Sequence, residues 1–163
     1  MCQPARMEGS GEAITAEGLE ELRAELAELE GPARLQMAER IKAARELGDL
    51  KENADYHIAK EDQAHLETRI KRLRTRLIDA VVVEVDEDAQ VFAFGRSAEV
   101  RDVEADKTHV WTLVGPTEAN VAEGKLSAES PVGQALRDAE VGSEVVVETP
   151  RGAKAYRVER LAD

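Results

Sequence analysis

The sequence is short of cysteine, of aromatic side chains and of positive charge, and each shortage closes off a class of protein. A single cysteine, Cys2, cannot form an internal disulfide, and with three histidines in the whole chain a structural zinc site is not expected. Aromatic residues make up 3% of the 163 positions, which suits long helices with aliphatic seams better than a large pocketed enzyme. Long apolar runs are missing too. Uncharged stretches such as 80–83 fall far short of the roughly 20 residues of a bilayer span, and the N-terminus has no apolar core of a secretion signal. A cytoplasmic chain with no membrane contact is the expectation. Basic residues number 22 against 34 acidic ones, a net charge of −12, so the molecule as a whole is repelled by phosphates and is not a free-standing nucleic-acid binder. The acidity is uneven: residues 80–163 hold nine basic and 17 acidic side chains, whereas 15–79 hold 12 and 15. Any nucleic-acid contact therefore belongs to the earlier part.

What is present is 42% hydrophobic content, enough to build a core in one compact domain or two small ones. Residues 1–13 show no periodicity and read as a flexible leader. From Thr15, a good N-cap, the pattern changes: Leu19, Leu22, Leu26 and Leu29 recur at spacings of three and four, a heptad seam. Gly31-Pro32 interrupts it, and Ala33, Met37, Ile41 and Ala44 continue the stripe to Gly48. The spacing predicts a first helical arm over about 15–47, kinked near 31–32. Tyr56, Gln63, Leu66, Ile70, Leu73 and Leu77 predict a second over about 54–78. Two amphipathic helices joined by a short turn bury their stripes only against each other, so they must fold back antiparallel, as a rod on the order of 45 Å long.

After Asp79 the chain turns to short β-branched runs at 80–85, 91–94, 98–103, 109–114, 144–149 and 153–161, predicting antiparallel strands. A single short helix interrupts them, with Ser130 as N-cap and Pro131 in its first position. The expected fold class is α+β: an N-terminal antiparallel α-helical hairpin (a coiled coil), then an antiparallel β-sheet domain with one short helix. The expected boundaries are a leader at 1–13, a hairpin at 14–79 with its tip at 48–55, and a sheet domain at 80–163.

The turn between the arms reads Gly48-Asp49-Leu50-Lys51-Glu52-Asn53-Ala54-Asp55-Tyr56. Asp49, Glu52 and Asp55 follow at spacings of three, and hard oxygen ligands gathered so suit Mg²⁺. Asp49 and Glu52 equally fit a capping box at the start of the second arm. Both readings stand on the pattern, and they can coexist. Two carboxylates cannot hold Mg²⁺ tightly by themselves, since that ion keeps most of its waters and needs further oxygens from phosphate or a second protein. The tip looks like half of a metal site, which makes sense if the rod is inserted into a cavity where the other ligands wait.

The tip string, the hairpin, Ser130-Pro131-Val132-Gly133-Gln134-Ala135-Leu136 and Val141-Gly142-Ser143-Glu144-Val145 together resemble the bacterial transcript cleavage factors of the Gre family, GreA-like rather than GreB-like, over roughly 14–161. The resemblance implies a factor that binds RNA polymerase at its secondary channel, threads the hairpin toward the active centre and rescues backtracked complexes. It implies no autonomous enzyme: the polymerase's own active site hydrolyses the extruded RNA 3′ segment. By motif position, Asp49 and Glu52 are the acidic pair that helps hold the second catalytic Mg²⁺, shared with the polymerase and not tightly bound by the free protein, and that orients the attacking water. Asn53, Asp55 and Tyr56 support the tip, with Asp55 standing where Glu is common. Arg45 and Lys60 match the basic patch that steers the RNA 3′ end. The sheet domain resembles the family's FKBP-like domain, which docks on a coiled coil at the channel rim, with Glu129, Ser130 and Pro131 as the docking residues; Ser130-Pro131 is also adequate as a plain helix start.

A monomer is expected. Arg69, Lys71, Arg72, Arg74 and Arg76 read as a solvated face pairing with glutamates of the first arm, and His57 and His65 as solvated. Prolyl isomerase activity is not expected, since only Phe92, Phe94, Trp111 and Tyr156 could line an aromatic pocket. A channel-plugging inhibitor of the same architecture and a hairpin adaptor whose tip is only a cap are the rival readings.

Overall fold

The computed structural model describes residues 11–162. Two compact units emerge, Leu19–Asp79 and the remainder, which joins the segment before Leu19 to the chain from Ala80 onward.

The hairpin unit is built from α1 (Ala16–Glu28), a π-helical turn (Leu29–Ala33), α2 (Arg34–Glu46) and α3 (Ala54–Asp79). Its seam follows the sequence spacing: Leu22, Leu26, Ile41, Ala44, Ile70 and Leu73 are buried. Ala59, skipped by the seven-residue step from Tyr56 to Gln63, is the most deeply buried of all, at 0% exposure. The expected break at 31–32 takes a milder form. Pro32 sits inside the π-helical turn, and the flanking Glu28 and Arg34 both keep right-handed helical dihedrals. A widened turn tolerates a residue with no N–H, because the i→i−4 ladder is already interrupted there. Charge crosses between the arms on both sides of this turn. Arg69 pairs with Glu25 and Arg74 with Glu30, whereas Arg34 donates to Glu67 (2.8 and 2.7 Å) and Arg40 to Asp62 (2.6 Å). The basic partner lies on the second arm in the first two pairs and on the first arm in the others, so a slipped register would oppose like charges.

The other unit holds a five-stranded sheet in the order β5-β4-β3-β7-β6, beside a two-stranded piece, β1-β2. The strands are β1 (Glu12–Ile14), β2 (Ala80–Val82), β3 (Ser97–Asp102), β4 (Lys107–Val114), β5 (Lys125–Ser127), β6 (Glu144–Thr149) and β7 (Gly152–Ala162), with α4 (Pro131–Leu136) between β5 and β6. Three expectations need correction. The sheet is mixed, because β4 pairs in parallel with β5; β5 carries one apolar residue, Leu126, too weak a pattern to read. Residues 91–94 form no strand, only a bridge from Val91 to Glu140, and Phe92 and Phe94 instead plug the core. The expected leader ends early: its first ten residues lie outside the described ones, but Glu12 and Ala13 begin β1, which pairs in parallel with β2. A parallel pair requires a long crossover, and here the whole hairpin is that connection.

On β3, Ala98, Val100 and Asp102 face inward, with Val100 and Leu113, Leu136, Val158 forming the centre of the core. Asp102, the buried charge, accepts from the amides of Ala105 (3.0 Å) and Glu104 (3.1 Å), with the Lys154 ammonium 3.8 Å away. The Ala105 hydrogen bond foremost, then Lys154 and the Glu104 amide, hold its carboxyl below the usual aspartate range against the opposing effect of burial.

Glu118 ties β1 and the first turn of α1 to the loop after β4. Its carboxylate accepts from the amides of Thr15 (3.0 Å) and Gly115 (3.2 Å) and from the Thr15 hydroxyl, while Thr15 Oγ1 caps α1 by accepting from Gly18 N–H at 3.0 Å. A β-carbon at Gly18 would collide with that carboxylate, and one at Gly115 with the Ala13 carbonyl. Gly18, a weak helix former, is there for close approach.

Candidate functional site at the hairpin tip

The tip is shaped by one side chain. α2 ends at Glu46, and Gly48 follows with φ +130°, a conformation that favours glycine. Asn53 stands just before α3: its Oδ1 accepts from Tyr56 N–H (3.1 Å), the N-cap bond, while its Nδ2 donates to the Ala44 carbonyl in the last turn of α2 (2.5 Å). Asn53 thus satisfies a free donor of one helix and a free acceptor of the other. The cap of α3 is therefore Asn53. Glu52 lies one residue outside the cap, and the three-residue box starting from the true cap reaches Tyr56, so Asp49 and Glu52 do not cap α3.

Asp49 closes a small turn by accepting the Lys51 amide at 3.1 Å through Oδ1. Glu52 and Asp55 make no hydrogen bond or ion pair among the described residues. All three carboxylates are exposed, and with Leu47, Asn53 and Ala54 they line one shallow concavity of about 390 Å³. Asp55 lies in the first turn of α3, near the positive end of the helix dipole. Carboxylate oxygens are hard donors of the kind that Mg²⁺ takes. Among the described residues no three His, Cys, Asp or Glu side chains are grouped to hold a metal ion.

Arg45, in the last turn of α2, lies over the Tyr56 ring with its guanidinium 5.7 Å from the centroid, and His57 meets Tyr56 edge-on. Lys60 is exposed on α3 and donates to Gln63 at 2.9 Å. His57 and His65 are exposed; His57 Nε2 lies 3.4 Å from the Lys51 carbonyl and His65 lies 3.8 Å from Glu61. In the sheet unit Ser130 Oγ accepts from Gly133 N–H (3.1 Å) and donates to the Ser127 carbonyl (2.6 Å), so its hydroxyl is committed to starting α4. The Glu129 and Pro131 side chains beside it are exposed.

The double role of Asn53 and the placement of Arg45 on Tyr56 escaped sequence reasoning. An Asn immediately before an amphipathic run is itself an N-cap signal, and it lay in the motif already singled out; the bond to Ala44, nine residues upstream, had no such signal.

The hairpin unit carries an acidic turn between its two arms, and the other unit is built on a mixed sheet. Comparison with known proteins identifies the class. A family model for the N-terminal domain of transcription elongation factors, GreA_GreB_N, matches residues 12–82, and one for the GreA/GreB C-terminal domain matches 87–162. The chain is 46% identical to the transcription elongation factor GreA of Nautilia profundicola over 92% of this chain and 93% of the relative, and 41% identical to that of Pseudomonas syringae over 89% and 93%. Among solved structures it is similar to Thermus aquaticus Gfh1, with 30% identity, 93% and 97% coverage and a TM-score of 0.41. The chain belongs to the GreA/GreB family of transcription elongation factors. Among its described residues no helix is long and apolar enough to cross a membrane.

Proposed function

We propose that this elongation factor acts in the cytoplasm as a monomer that inserts its hairpin into the secondary channel of RNA polymerase and stimulates cleavage of backtracked RNA 3′ ends. One observation carries the reading: Asn53 caps α3, which leaves the carboxylates of Asp49 and Glu52 exposed and free to work on a partner. Asp49 and Glu52 would hold a Mg²⁺ shared with the polymerase, whose remaining ligands come from the polymerase and the RNA. When bound, that ion supplies Lewis-acid activation of water and neutralises phosphate charge. Glu52, unbonded, accepts a proton or a water hydrogen bond without disturbing the turn, whereas Asp49 offers its second oxygen while the first holds Lys51. Asn53 keeps the two arms together beneath them, and Asp55 and Tyr56 support the same surface, Tyr56 by seating Arg45. Arg45 and Lys60 present positive charge to the RNA 3′ end, and Glu129, Ser130 and Pro131 present the docking surface at the channel rim.

The chain alone has no hydrolytic activity on this reading. Stalled, backtracked elongation complexes are incubated with wild type, Asp49→Ala and Glu52→Ala, alongside naked RNA as control. Shortened transcripts with wild type only, and none from naked RNA, are the expected result. Blocked transcription without cleavage would assign the chain as a channel plug, and no effect at any concentration would leave an adaptor whose tip does no chemistry.

A further inference from the structure

The tip reading needs Glu52 at a fixed place, yet its carboxylate makes no hydrogen bond or ion pair among the described residues. Its position is therefore set by the backbone on either side. Downstream, Asn53 is tied to Tyr56 N–H and to the Ala44 carbonyl. Upstream, no backbone–backbone hydrogen bond among the described residues holds 49–52; two side chains do, and both grip Lys51. Asp49 Oδ1 accepts the Lys51 N–H at 3.1 Å, and His57 Nε2 lies 3.4 Å from the Lys51 carbonyl. A carbonyl only accepts, so Nε2 is the donor of that contact.

The Lys51 carbonyl lies in the peptide plane that also carries the nitrogen and Cα of Glu52. Holding its oxygen fixes the direction in which the chain enters Glu52. The imidazole is itself braced. His57 is the fourth residue of α3, and its backbone N–H donates to the Asn53 carbonyl at 3.2 Å. Its ring meets the Tyr56 ring edge-on at 5.7 Å between centroids, and the guanidinium of Arg45, from α2, lies over Tyr56. Both arms thus support the side chain that reaches the loop.

A hydrogen bond of this length on an exposed residue contributes little to folding. Position is a different matter: a carboxylate shifted by about 1 Å from a reacting centre costs on the order of 100-fold in rate. We propose that His57 is a positioning residue of the tip, holding the Lys51 carbonyl so that Glu52 presents its carboxylate to the shared Mg²⁺. This role rests on the tip reading and adds to it the side chain that aims one of the two carboxylates.

Three full-length variants separate the hydrogen bond from the ring. His57→Ala removes both, His57→Phe keeps a ring against Tyr56 without the donor, and His57→Gln restores an N–H donor. Cleavage of backtracked RNA is measured over factor and Mg²⁺ concentration, and the free chain is followed by NMR at the Glu52 amide. The expected result is a maximal rate about tenfold lower for the Ala and Phe variants, with the half-saturating factor concentration changed by less than about twofold and a higher Mg²⁺ requirement. His57→Gln should recover to within about threefold of wild type. Melting temperatures of all three should stay within about 2 °C of wild type. In the free chain the Glu52 amide resonance should shift and its order parameter fall in the Ala and Phe variants, and both should return in the Gln variant. An unchanged maximal rate, or a Glu52 amide indifferent to all three substitutions, would overturn the proposal. So would a raised half-saturating concentration at normal maximal rate, which assigns His57 to docking, or a Gln variant as slow as the Ala variant, which assigns the imidazole to direct contact with RNA. Wild type that stimulates no cleavage would sink the tip reading, and the Glu52 resonance then still decides whether His57 holds the loop.

Discussion

Replacing Asn53 by alanine removes two hydrogen bonds that converge on one amide side chain, and their geometry sets the size of the effect. The bond from Tyr56 N–H to Oδ1 at 3.1 Å is an N-cap, worth about 1 kcal/mol on loss to alanine. The bond from Nδ2 to the Ala44 carbonyl at 2.5 Å joins the end of α2 to the start of α3, and a hydrogen bond in partly exposed surroundings adds about 0.5–1.5 kcal/mol. Together they predict a loss of about 1.5–2.5 kcal/mol, confined to the tip because the buried seam begins only at Ala44 and Ala59. Hydrogen exchange at the Tyr56 and His57 amides measures it directly: protection should fall by about tenfold or more, while amides around Ile70 keep theirs. Asn53→Asp separates the two bonds. It retains the acceptor for Tyr56 and sets a carboxylate against the Ala44 carbonyl, so it should recover the cap and still loosen the tip. If Asn53→Ala leaves tip exchange unchanged, or if Asn53→Asp matches wild type, the staple is not what shapes the turn.

Other consequences can be checked in parallel. Asp49→Ala and Glu52→Ala should abolish cleavage stimulation yet change unfolding free energy by less than about 1 kcal/mol, as expected for exposed side chains that cap no helix; a larger loss in urea titration would return them to a structural role. Gly18→Ala should destabilise by about 1–3 kcal/mol, because its β-carbon meets the bonded Glu118 carboxylate. Gly31→Ala, with open space around it, should be neutral or stabilise by up to about 1 kcal/mol, and equal melting shifts for the two would refute the close-approach argument. The Asp102 carboxyl titrates below its unfolded value, so its contribution is present above the ordinary aspartate range near about pH 3.9 and is lost as pH falls through the folded value. Denaturant titrations from neutral to acid pH should therefore fall more steeply for wild type than for Asp102→Asn; parallel curves would remove Asp102 from the account.

Long-period features were legible because they repeat. Leu22, Leu26, Ile70 and Leu73 announce the hairpin through spacing alone, since a stripe recurring over many turns can be buried in only one way. Features made by single contacts between distant residues were not. The strand at Glu12–Ile14 is three residues long and exists because Ala80–Val82 lies beside it, and β5 exists because β4 does; neither has enough apolar residues to declare a period. Phe92 and Phe94 have the composition of a strand, but the backbone of Phe92 bonds to Asp138 and Ala139, and the rings serve the core instead of a ladder.

The amino-acid order by itself settled that there are two helical arms, that three carboxylates stand at the turn between them, and that most of the negative charge resides in the later domain. It could not settle which tip side chain caps the second arm, because Asn53, Asp49 and Glu52 all have suitable oxygens and choosing among them depends on where the Ala44 carbonyl comes to lie after the arms pack. Nor could it foresee that Glu118 would reach back to Thr15 across 103 positions. Periodicity is local and survives in one dimension. Which donor meets which acceptor is decided only when the burial of the seams brings the backbone of one element within hydrogen-bonding reach of another.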